Sequence, residues 1–247
     1  MSELLETRGL CKSFGAVTAA ADLSIDVRDR EIHAVIGPNG AGKTTLLGLL
    51  SGELRPDAGR IRLLGRDVTH LPVHARAKLG LGRTFQVSSL LPSFSVLENV
   101  ALGVQARWRA SAGGLRNAAA DPALNGPARD ILDRLAIGAL AHRPAGALAH
   151  GERRLVELAM ALAPGPKVLL LDEPLAGVSP AEAERVVSIL AALRRELAIL
   201  LVEHDMDAVF RLADRITVLV YGRAIASGTP QEIREDSAVR RAYLGDD

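Results

Sequence analysis

Cysteine is almost missing from this chain, with Cys11 the only one in 247 residues. An intrachain disulfide and a cysteine metal cluster are therefore excluded, and such economy fits a reducing compartment. Long apolar runs are missing as well. No stretch approaches the ~18 uninterrupted apolar residues of a spanning helix, so any membrane role is expected to pass through a partner. The segment Met1 to Gly9 is acidic and lacks an apolar centre, so it does not read as a signal peptide and a cytoplasmic protein is expected. Lysine is scarce: Lys12, Lys43, Lys78 and Lys167 stand among 30 basic residues. Net charge is only +1, so the overall balance draws the chain neither to nucleic acid nor to an anionic membrane.

What is present suits a soluble globular protein, with 48% hydrophobic and 24% charged residues. The length allows one large domain, or a core with a subdomain, around a real hydrophobic centre. Short apolar runs alternate with helical patterns, which predicts an α/β fold with a largely parallel sheet. Strands are expected at Glu31 to Ile36, Lys167 to Leu171, Ala198 to Val202 and Ile216 to Val220. Helices are expected at Lys43 to Ser51, Pro180 to Glu196 and Asp205 to Ala213. The middle differs, because helical patterns dominate there (Val96 to Trp108, Ala128 to Ala136, Glu152 to Ala163). A small-residue stretch, Ala110 to Pro127, reads as a mobile loop between the first two.

Gly37-Pro38-Asn39-Gly40-Ala41-Gly42-Lys43-Thr44-Thr45 matches G-x-x-x-x-G-K-[ST] between an expected strand and an expected helix. Glycines let backbone N–H groups turn inward around phosphates, and the helix N-terminus adds partial positive charge. Lys43 would reach the β- and γ-phosphates, and the Thr44 hydroxyl would ligate Mg²⁺. Asp172 and Glu173 end the apolar run Val168 to Leu171. There one carboxylate can hold Mg²⁺ opposite the phosphate loop, and the other can orient or deprotonate water.

With these residues the chain resembles the ATP-binding-cassette ATPases, in order and over essentially its full length. The resemblance implies a P-loop NTPase (RecA-like) core at 1–86 and 164–247, an antiparallel β subdomain, and an α-helical subdomain inserted at 87–163. It implies that Phe14 stacks on adenine beside the apolar Val17, and that Gln86 reaches Mg²⁺ and the attacking water. It further implies that Glu173 is the general base and that His204 contacts the γ-phosphate.

The segment Leu148-Ala149-His150-Gly151-Glu152 looks like the family's signature, which binds ATP held by a second protomer. It departs from the pattern, because Ala149 replaces a serine and His150 a glycine. Gly151 and the helix start still offer an anion site. Glu152 suits a helix N-terminus but would be repelled if it faced phosphates. His150 is expected to donate a hydrogen bond to the γ-phosphate in place of the serine hydroxyl. Ser179 also departs, standing where an aspartate is usual.

Gly80 to Gln86, the extra segment Arg107 to Pro127, Val202 to Met206 and the ending Ala242 to Gly245 resemble ATPase subunits of bacterial branched-chain amino acid importers. Related importers carry urea, short amides or other hydrophobic amino acids. The segment Leu71 to Arg76 would equally suit a lipopolysaccharide-export ATPase. The implied partners are transmembrane permeases, a second ATPase subunit and, indirectly, an external binding protein, with no nucleic acid. His70 and His74, four apart, lack a third ligand in sequence and are not read as a metal site. Trp108 between Arg107 and Arg109 is read as the edge of a loop.

Overall fold

The computed structural model describes residues 2–84, 90–107 and 121–244. Among these residues the strands form two sheets. The first is antiparallel and built from β1 (Glu3–Phe14), β2 (Val17–Leu23), β3 (Asp26–Arg28), β5 (Ala58–Leu63) and β6 (Arg66–Asp67). The second contains β4 (Ile32–Ile36), β7 (Leu81–Arg83), β8 (Val168–Asp172), β9 (Ala198–Val202), β10 (Arg215–Val220) and β11 (Arg223–Gly228). Its order is β11-β10-β4-β9-β8-β7, parallel except for β11.

The four strands expected from apolar runs are β4, β8, β9 and β10, within a residue at each end. Their largely apolar character follows from cover on both faces. Side chains alternate along each strand, so Val168, Leu170, Ala198, Leu200 and Val202 pack with helix α1 (Lys43–Ser51) and the antiparallel sheet. Leu169, Leu171, Ile199 and Leu201 point the other way, into a core shared with α3 (Val96–Arg107), α4 (Pro122–Arg134), α5 (His150–Leu162) and α6 (Pro180–Leu193). Each fully buried leucine of these two cores contributes roughly 1.5–3 kcal/mol.

Helix α1 coincides with its expected range, while α6 stops at Leu193, three residues short. Helix α4 is the larger correction. It begins at Pro122, so 122–127 belong to a helix and not to a loop. Asp121 caps it by accepting the Ala123 N–H at 3.0 Å, and Pro122 fills the first helical position, where a missing N–H costs nothing. That cap was present in the sequence and outweighed the small-residue composition. Trp108 lies outside the described residues.

Helix α2 (Val73–Lys78) gives the segment Leu71 to Arg76 a structural task. Buried Arg76 donates to the carbonyls of Leu49 and Leu50, both at 2.7 Å, and to Thr69 and Leu71. It thereby satisfies acceptors that the end of α1 leaves open. His70 precedes α2 and His74 lies on it, both exposed, so the two do not share a helical face. The remaining helices are α7 (Met206–Leu212), α8 (Pro230–Glu235) and α9 (Ser237–Leu244). Among the described residues no helix is long and apolar enough to cross a membrane.

Candidate nucleotide site

The phosphate loop leaves the C-terminal end of β4 and closes on α1. Gly42 has φ 103° and caps that helix. A side chain there would run into the Ala19 carbonyl of β2, and one at Gly37 would run into the Leu219 carbonyl of β10. Glycine at these positions lets the loop sink between its neighbours while Pro38, Asn39 and Gly40 stay exposed. Ala41 is buried beneath them, and its carbonyl accepts the Gly222 N–H at 2.9 Å. Thr44 is exposed and Thr45 half-buried.

Lys43 folds back on the loop, donating to the carbonyls of Gly37 at 2.6 Å and Pro38 at 3.1 Å. Burial pulls its ammonium below the usual lysine range, and the charges of Glu173 and Asp172 work against that fall. The lysine is thus held at the loop's mouth by two weak acceptors that an anion would readily replace.

Asp172 closes β8 with its side chain 1% exposed. Neither carboxylate oxygen has a hydrogen-bond partner among the described residues. Burial raises its carboxyl above the ordinary range, opposed first by Arg83. A buried carboxylate with both oxygens open is an expensive arrangement unless a cation completes it.

Glu173 follows with φ 47°, in the left-handed region that non-glycine residues avoid. Its N–H donates to the Val202 carbonyl at 2.8 Å, which fixes the turn and swings the side chain off the strand. Glu173 Oε1 then lies 3.7 Å from His204 Nδ1. Backbone strain kept at such a point is typical of functional positions.

Glu203, the residue before His204, takes no role in the sequence motifs. It is buried, accepts the Leu175 N–H at 2.8 Å through Oε1, and accepts the His204 N–H at 2.8 Å through Oε2. One carboxylate therefore braces both the turn after Glu173 and the start of the histidine loop. Its only sequence signal was an acid ending an apolar strand next to a candidate site residue.

Phe14 and Val17 face each other across the β1–β2 hairpin, 49% and 67% exposed. An aromatic left this open offers a free face, with Lys12 Nζ 5.6 Å from the ring centre. The hairpin continues into Ala19, which packs on Gly42, so it adjoins the phosphate loop. Gln86 lies outside the described residues.

The segment at Leu148 opens α5, with Ala149 as the cap residue. Glu152 turns back: its Oε2 accepts the Ala149 N–H at 2.9 Å and its Oε1 pairs with Arg143 at 2.8 Å. Its charge is engaged within the chain. His150 Nε2 lies 3.3 Å from the Ala176 carbonyl, and Gly151 packs directly on Glu182. Ser179 caps α6, its hydroxyl donating to Glu182 Oε2 at 2.7 Å.

A parallel sheet with a glycine loop at the end of β4 and an open acid at the end of β8, one strand away across β9, defines a P-loop nucleotide-binding protein. The comparisons with known proteins narrow this. Residues 20–176 match the family model described as ABC transporter, and residues 225–247 match that of the branched-chain amino acid ATP-binding cassette transporter. The chain belongs to the ABC transporter family of ATP-binding cassettes. It is 41% identical to the high-affinity branched-chain amino acid transport ATP-binding protein LivG of Salmonella typhimurium, over 98% of each chain. It is 37% identical to the lipopolysaccharide export system ATP-binding protein LptB of Acidithiobacillus ferridurans, over 100% of this chain and 98% of that one. A crystal structure of an ATP-binding cassette of an ABC transporter in its ADP conformation superposes with a TM-score of 0.89 at 31% identity, covering 100% of both chains.

Proposed function

We propose that this chain is the ATP-hydrolysing subunit of a bacterial importer for branched-chain or other hydrophobic amino acids, or for related amides or urea. It would work on the inner face of the cell membrane through partner permeases and a second ATPase subunit, with cargo delivered by an external binding protein. The observation that carries this reading is the match of residues 225–247 to the branched-chain cassette model, a stretch separate from the phosphate loop, Asp172 and Glu173. The likeness to LptB keeps lipopolysaccharide export as a second reading.

In this reading Lys43 leaves the Gly37 and Pro38 carbonyls for the β- and γ-phosphates of ATP, which also meet the N–H groups of residues 39–45 and the positive end of α1. Phe14 and Val17 receive the adenine. The open oxygens of Asp172 fit Mg²⁺, with the Thr44 hydroxyl and Gln86 as further ligands. Bound there, the ion would neutralise charge on the β- and γ-oxygens. Glu173 takes the proton of the attacking water while His204, braced by Glu203, contacts the γ-phosphate. Ala149, His150, Gly151 and Glu152 serve the nucleotide of the opposite protomer.

Co-expression with candidate permease pairs tests the assignment. Recovery with amino-acid permeases, together with ATP-dependent uptake of radiolabelled leucine or isoleucine by vesicles of the complex, supports it. Recovery with lipopolysaccharide-export membrane subunits and no such uptake overturns it.

A further inference from the structure

Arg83 sits on edge strand β7, paired with Leu170 two residues before Asp172. Its side chain is 10% exposed, and among the described residues its guanidinium lies between the oxygens of Ser51, Glu53 and Asp172. Nη1 donates to Ser51 Oγ at 2.8 Å and forms an ion pair with Glu53 Oε2 at 2.7 Å. Nη2 stops 3.8 Å from Asp172 Oδ2. That is beyond hydrogen-bond range yet close enough for a strong charge interaction in a poorly solvated site.

A guanidinium next to a buried carboxylate ordinarily closes into a two-pronged pair. Here one prong is taken by Glu53 and Ser51, and the carboxylate keeps both oxygens open. We propose that Glu53 and Ser51 hold Arg83 back from Asp172, so that the arginine balances the charge of the carboxylate without occupying the lone pairs that Mg²⁺ requires. Glu53 is thus a positioning residue that acts on the metal ligand through Arg83. Ser51 is the last residue of α1, the helix that Lys43 and Thr44 begin, so one rigid element carries the phosphate contacts at one end and the restraint at the other.

The inference rests on Asp172 being a Mg²⁺ ligand, and the test separates the two. A fluorescent ATP analogue is titrated with Mg²⁺, and bound Mn²⁺ is counted by electron paramagnetic resonance in the presence of ADP. Glu53→Gln frees Arg83 to close on Asp172 and should raise the metal midpoint about 10-fold, the lower end of outer-sphere effects on metal sites. Nucleotide affinity without metal should stay the same. In an Arg83→Met background, adding Glu53→Gln should produce no further shift. Asp172→Asn serves as the reference. If it raises the midpoint while Glu53→Gln does not, or if the Glu53→Gln shift survives in Arg83→Met, the restraint is wrong. If Asp172→Asn itself leaves the midpoint unmoved, the metal-ligand reading falls instead.

Discussion

Glu203 holds His204 by its backbone and flanks its ring: Oε2 accepts the His204 N–H at 2.8 Å and lies 3.6 Å from Nδ1. The same carboxylate accepts the Leu175 N–H, so the loop of His204 and the turn of Glu173 move together. Glu203→Gln loses the charge and gives one acceptor arm a donor, which loosens this pairing. Turnover should fall by up to about 10²-fold, the cost of a misplaced catalytic group, with ATP affinity little changed. Steady-state hydrolysis beside equilibrium ATP binding checks it, and an equal loss in both would reassign Glu203 to folding alone.

Glu173→Gln should retain ATP and lower hydrolysis by roughly 10²–10⁴-fold, the range of general-base contributions. Because it holds ATP unspent, the variant should also associate on addition of MgATP, alone or with a related ATPase subunit. Sedimentation with and without nucleotide reads this directly. Near-normal hydrolysis would take the base role from Glu173, and failure to associate under all conditions would sink the two-protomer site.

His150 can give its Nε2 proton to the Ala176 carbonyl of its own chain or to a phosphate opposite, but not to both at once. His150→Ala should therefore slow hydrolysis in the assembled dimer while leaving ATP binding to the single protomer unchanged. Steady-state hydrolysis at the rate of the unmodified chain would leave the histidine with its internal contact only.

Nucleotide affinity should depend on Lys43 and Phe14 separately. Lys43→Ala removes the charge at the phosphates and should weaken MgATP binding or abolish hydrolysis. Phe14→Ala should lose about 1–3 kcal/mol, if the exposed ring stacks on adenine as aromatics stack on bases elsewhere. Calorimetric titration with ATP and with a triphosphate lacking a base distinguishes them, since only the first should sense Phe14.

Away from the site, His33 predicts how stability follows pH. Its Nδ1 lies 2.6 Å from the Asp26 carbonyl and its Nε2 2.7 Å from Thr217 Oγ1. Burial, helped by the nearby Arg215 cation, lowers its pKa to about 4, against the partial support of Asp26 and Glu31. The unfolded chain takes up a proton near pH 6.5 that the folded chain refuses. Stability from this group should therefore be full above neutrality and decline as pH falls from about 6.5 to 4, by up to about 3 kcal/mol. Chemical denaturation at pH 7.5 and 5 measures it, and His33→Gln should flatten the dependence.

Local chemistry was legible in the sequence and long-range chemistry was not. Gly37 to Thr45, Asp172 and Glu173 declare themselves because strand, turn and charge are neighbours in the chain. The four apolar strands were legible for the same reason. Strands β1 and β5 of the antiparallel sheet were not located, since β1 is interrupted by bulges and pairs with β5 across some fifty residues. Arg83 and Glu203 look like ordinary surface charges until the fold brings Ser51, Glu53 and Leu175 to them. Helix α4 was missed at its start because composition was weighed above the cap at Asp121 and Pro122.

Strand β8 divides its side chains between the two cores, Val168 and Leu170 to one side, Leu169 and Leu171 to the other. It is a party wall, and Asp172 and Glu173 are set at its end. Loosening in either room must reach the same two carboxylates. Leu170→Ala and Leu171→Ala leave voids in different halves of the molecule, yet both disturb one hinge point of the chemistry. The chain has no silent side from which to remodel this strand.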